Sequence, residues 1–149
     1  MTQNDYICNL SENLETLDQA IRWLKRSLTV CSDTDLVGDL TEEQVDAFEA
    51  FTGRYARVSD MIIQKVFRAI DAVEFEEGGT LIDVINRAHK RGFIETIEEI
   101  REIRELRNEI AHEYVLEDLK SLFADILKFA PRLIEIADRV KVYCRKHTG

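Results

Sequence analysis

An all-α fold, an up-and-down bundle of four long helices plus one short helix, is predicted by three observations. The chain has a single proline and six glycines in 149 residues, too few breakers for many short strands. Apolar residues recur at helical spacing over most of its length. Capping signals stand where those periodic runs begin. With 45% hydrophobic and 33% charged residues, the composition is that of a folded globular chain rather than a disordered one. The length fits one domain over residues 1–149.

The first helix is drawn by Ile7, Leu10, Leu14, Leu17, Ile21, Leu24 and Leu28, whose alternating spacing of three and four makes a heptad seam. A polar loop over 32–40, with Gly38, separates it from Thr41-Glu42-Glu43-Gln44, which reads as a capping box. The second helix then carries Val45, Phe48, Phe51, Tyr55, Val58, Ile62, Val66, Ile70 and Val73 on its inner face and stops near Glu76-Glu77-Gly78-Gly79. Thr80 caps a short third helix that runs to about Lys90 and is ended by Gly92. A fourth is expected from Glu95 to His112, with Ile97, Ile100, Ile103, Leu106 and Ile110 turned inward. The last begins near Glu117-Asp118, acidic residues suited to a helix N-terminus. It carries Leu119, Leu122, Ile126, Phe129, Leu133, Ile136, Val140 and Tyr143, with a kink expected before Pro131. There is no repeat, low-complexity segment or linker.

Cys8, Cys31 and Cys144 are odd in number and widely spaced, which suggests neither a metal motif nor a disulfide framework and fits a reducing, cytoplasmic setting. No signal peptide is visible, and no apolar run reaches the length of a membrane span. The formal net charge is −9, so any contact with nucleic acid must be made through a local basic site against a repulsive global field.

The chemistry concentrates at Arg107-Asn108-Glu109-Ile110-Ala111-His112-Glu113-Tyr114. If the fourth helix is extended through this stretch at about 100° per residue, Arg107 falls within the apolar face and Tyr114 lies about 20° from it. Asn108 and His112, four apart, share a face. A fixed cation, an amide, an imidazole and a phenol are the inventory for binding and cleaving a phosphodiester. The bland alternative is a salt bridge from Arg107 to a glutamate of the bundle, with His112 as a helix-end residue.

The pattern Arg-Asn-x-x-x-His-x-Tyr near a helix end, in an all-helical chain of this size, resembles the signature of the HEPN superfamily, nearest to the HepT-type toxins encoded beside a minimal nucleotidyltransferase. That resemblance implies a metal-independent endoribonuclease without cofactor, acting on RNA as a homodimer. It implies His112 as acid or base at the ribose 2′-hydroxyl, Arg107 as the stabiliser of transition-state charge, and Asn108 as an orienting group. Tyr114 becomes the residue that a cognate nucleotidyltransferase antitoxin modifies. A second function within the resemblance is a non-catalytic subunit that presents substrate to a nucleotidyltransferase. A purely structural bundle is a third reading.

Further features compete for attention. Glu109 and His112 have the Glu-x-x-His spacing of di-iron bundles, but the second copy such sites need is missing, because His89 and His147 follow Asn86 and Cys144 instead. The densest basic patch, His89-Lys90-Arg91 with Arg87, fits a solvated helix end better than an RNA contact. Tyr55 and Tyr143 fall on apolar stripes and read as core. Trp23 fits either a helix seam or a dimer surface, and both stay open.

Overall fold

A computed structural model of the chain describes residues 1–112 and 116–148, and for 116–118 the backbone alone. It is a bundle of four long helices and one short one, as the periodicity predicts. Helix α1 spans Gln3–Cys31. Helix α2 runs as one rod through Glu42–Asp60, a π-helical turn at Met61–Val66, and Phe67–Val73. The short α3 is Leu81–Lys90, α4 is Ile97–Ile110 and α5 is Leu116–Thr148. Helix α2 packs on α1, α4 and α5; α1 and α4 also pack on α5; α3 closes the end of α2 and touches α4.

The caps act as the sequence suggests. Thr41 and Gln44 exchange side-chain to backbone hydrogen bonds in a complete capping box, and Thr80 with Asp83 forms another. Helix α3 ends in a Schellman arrangement: Phe93 N–H donates to the Ala88 carbonyl and Gly92 N–H to that of His89, with Gly92 at φ +84°. The end of α2 repeats the pattern, from Glu76 to Asp71 and from Phe75 to Ala72, but the left-handed position (φ +60°) is held by Phe75, which is exposed.

The apolar seam of α1 faces inward, with Leu10, Leu17, Ile21 and Leu24 buried and Ile7, Leu14 and Leu28 packed at its edge. On α2 the predicted inner face is buried from Phe48 to Val73, and Val45 is half-buried. Aromatic rings consolidate both ends: Phe48 stacks on Phe123 with centroids 4.4 Å apart, and Phe93 meets the edge of Tyr143 at 4.9 Å. Tyr55 is buried, and its hydroxyl donates to the Ile103 carbonyl at 3.2 Å, so it is core as expected. Cys31 and Cys144 are buried and Cys8 is exposed, all as free thiols; burial pushes the Cys144 thiol up to about 12. Among the described residues, no helix is long and apolar enough to cross a membrane.

The bounds of α4 need correction. Helix α4 starts at Ile97 with Thr96 as its cap, not at Glu95, and it stops at Ile110 rather than at His112. Pro131 lies inside α5, on the exposed side. A proline there removes one donor from the ladder. The π-helical turn was not anticipated. Its mark is the Phe67 N–H, which reaches back five residues to the Ile62 carbonyl.

Candidate functional site

Arg107 sits on the last turn of α4, beside the exposed side of α2. It forms a two-point pair with Asp60: Nε donates to Oδ1 at 2.8 Å and Nη2 to Oδ2 at 3.0 Å. The side chains are 31% and 49% exposed, so both partners border on water. The partner is thus an aspartate of α2, not the glutamate that the bland reading supposes. Nη1 is not part of the pair, so the carboxylate fixes the plane of the guanidinium while leaving one edge outside the fork. Hydrogen bonding to Asp60 raises the guanidinium's already high pKa, and Arg107 is cationic at every working pH.

Asn108 is the next residue on α4, exposed, and its carbonyl accepts from the Ala111 N–H at 3.2 Å. The His112 N–H reaches the Glu109 carbonyl at 3.0 Å. Both bonds span three residues, so Ala111 and His112 form a closing turn rather than a continued α-helix. The α-helix therefore ends at Ile110. Asn108 and His112 are both exposed. His112 is exposed at the helix end. Tyr114 lies outside the described residues.

What the fold brings together is Arg107, Asn108 and His112 at one wet corner where α4 ends, with Asp60 supplied by α2. Asp60 was missed by the sequence reading, since an aspartate on the solvent side of an amphipathic helix carries no local signal. Among the described residues, no group of three or more His, Cys, Asp or Glu is placed to hold a metal.

In the basic patch, Arg87 and Arg91 are tied to carboxylates, while His89 and Lys90 are exposed at the helix end. Asp71, which is buried, pairs with Arg91 and with Arg87 (3.1 Å). Arg91 also binds Glu74 at 3.1 Å, and Glu74 accepts from the Tyr143 hydroxyl at 2.6 Å and stands 2.7 Å from His147 Nε2. Burial alone would raise the Glu74 carboxyl. The hydrogen bonds from Tyr143 and His147 and the neighbouring Arg91 outweigh it, and Glu74 lies below the ordinary value. This cluster ties α3 and the C-terminal turns of α5 to the end of α2.

No model of a known protein family, no curated protein and no solved structure matches this chain.

Proposed function

We propose that this chain is a HEPN-like, metal-independent endoribonuclease, a toxin held in check by a cognate minimal nucleotidyltransferase. The observation that carries the reading is the gathering of Arg107, Asn108 and His112 at one exposed helix end, with Arg107 oriented by Asp60. In this reading His112 takes the proton of the ribose 2′-hydroxyl, and that oxygen attacks phosphorus. The 5′-oxygen leaves with a proton from an acid on the opposite side. Arg107 donates to the non-bridging oxygens as negative charge builds there. One chain supplies one His112, so a symmetric homodimer, with the same corner facing itself, provides acid and base together. Tyr114, two residues beyond His112, is the acceptor for the nucleotidyl group that silences the site: a phosphate placed there competes for Arg107.

The test is cleavage of RNA by purified protein in the presence of EDTA. His112→Ala and Arg107→Ala are each expected to lower cleavage about 10²–10⁴-fold while keeping the helical circular dichroism of the parent. Cleavage that needs a metal and persists in His112→Ala overturns the proposal. A second reading, a non-catalytic subunit of a nucleotidyltransferase complex, is favoured by the Asp60 carboxylate, an anion beside Arg107 in a chain already at −9. No cleavage by any preparation, together with stable binding of the transferase, decides for it. For the modification, intact mass after incubation with the transferase and ATP is expected to rise for the parent but not for Tyr114→Phe.

A further inference from the structure

The chain's single tryptophan, Trp23, is 47% exposed on α1 and borders a groove of about 440 Å³ between α1 and α2. Arg54 and Arg57 of α2 line the same groove. The Arg54 guanidinium lies over the indole, 5.1 Å from its centroid, and is held there by a 2.7 Å hydrogen bond to Ser27. Arg57, one turn along α2, is exposed. The groove stays open because small residues stand where α2 borders it; a Cβ built on Gly53 meets nothing within 4 Å.

Its charge sets this surface apart. From Gln19 to Val30, α1 carries Arg22, Lys25 and Arg26 and no acidic residue, in a chain of net charge −9. Arg22 and Arg26 flank Trp23 along the helix. Among the described residues, Arg22, Arg26, Arg54 and Arg57 form no ion pair. Unneutralised guanidinium groups around an exposed indole are the chemistry of a single-stranded nucleic acid site: a ring to stack a base, and planar forks for the phosphates on either side. Glu49, also in the groove, repels phosphate from its own end and accepts from a base amine, which leaves the phosphate at Arg57.

We infer that the Trp23–Arg54–Arg57 groove binds single-stranded RNA, one base against the indole and the flanking phosphates at Arg57 and Arg26. That the strand is RNA rests on the nuclease reading above; the binding itself does not. Arg57 lies three residues before Asp60, the partner of Arg107. A strand seated at Trp23 and crossing α2 therefore leads toward the corner with Arg107 and His112. The groove gives an acidic protein the local basic foothold that its net charge demands.

The experiment uses a 2′-O-methyl oligonucleotide, which has no free 2′-hydroxyl to cleave. It is titrated into the full chain with two readouts: fluorescence of Trp23 and anisotropy of a label on the oligonucleotide. Saturable quenching that weakens with salt is expected. The double variant Arg26→Glu/Arg57→Glu is expected to lose affinity by about tenfold or more. Gly53→Leu is expected to lose it as well by filling the groove, and since leucine favours helix over glycine, that loss does not come from unfolding. Unchanged Trp23 fluorescence, equal affinity in the groove variants, or equal binding of polyglutamate overturns the inference. Binding without cleavage of ordinary RNA leaves the groove standing and removes the nuclease. Cleavage with no response from Trp23 does the reverse.

Discussion

Asp60 holds Arg107 in place and also opposes it, and the two effects separate by mutation. An exposed ion pair contributes about 0–1 kcal/mol to stability, so neither Asp60→Asn nor Asp60→Ala is expected to shift unfolding much. Asparagine keeps an oxygen for Arg107 and loses the negative charge. If Asp60 is a positioning residue of a nuclease, Asp60→Asn lowers KM for RNA with kcat nearly kept, while Asp60→Ala lowers kcat. Steady-state cleavage reads the split, and equal kinetics in both variants assign Asp60 a structural role only. Its neighbour Ser59 is buried with a hydroxyl that finds no partner among the described residues. A buried unsatisfied polar group costs about 1–3 kcal/mol. Ser59→Ala is therefore expected to raise the urea midpoint without changing the slope, and a lower midpoint contradicts the assignment. Of the site, Arg107, Asn108 and His112 were legible in the sequence as residue types at a helix end. Asp60 was not, because it lies 47 residues away and no local pattern marks it. Trp23 was noticed as an ambiguous surface residue, and its meaning came only when α2 laid Arg54 across it.

The helices themselves were legible because each has a strong apolar period and a polar cap, signals that depend on near neighbours alone. Their ends were less so. At α4 the apolar stripe continues to Ile110, and nothing in the next two residues breaks a helix. The closing turn at Ala111–His112 was therefore invisible to periodicity. Two helix ends share one geometry and differ in its occupant: Gly92 after α3, Phe75 after α2. A side chain in the left-handed region costs roughly 1–2 kcal/mol that glycine does not. Phe75 is 78% exposed and returns little by packing. Phe75→Gly is thus expected to stabilise the chain by about 1 kcal/mol, checked by thermal or urea unfolding. A clear loss shows that the phenyl ring makes contacts worth more than its strain.

For the molecule as a whole, the bundle is locked at one end by carboxylates. Glu74 sits below its ordinary value near 4.5, so the folded state binds its proton less readily than the unfolded chain does. Its contribution is complete above pH 4.5 and is lost as pH falls through the lower folded value. Urea unfolding from pH 7 to pH 3 is expected to show parent stability falling in that window, with Glu74→Gln weaker at pH 7 and flatter below. Parallel profiles exclude Glu74 as the acid-sensitive group. Asp60 and Asp71, which serve the two ends, stand on the same rod eleven residues apart. On an uninterrupted α-helix that spacing returns a side chain to within about 20° of the same direction. Yet Asp71 is buried among arginines while Asp60 borders on solvent. The π-helical turn between them supplies the phase shift: one surplus residue rotates everything downstream relative to everything upstream. The chain is consequently sensitive to length there rather than to identity. Gln64 and Lys65 are exposed. Removing either one would restore an even α-helical frame, turning Asp71 by about 100° away from Arg87 and Arg91 while Asp60 stayed where it is.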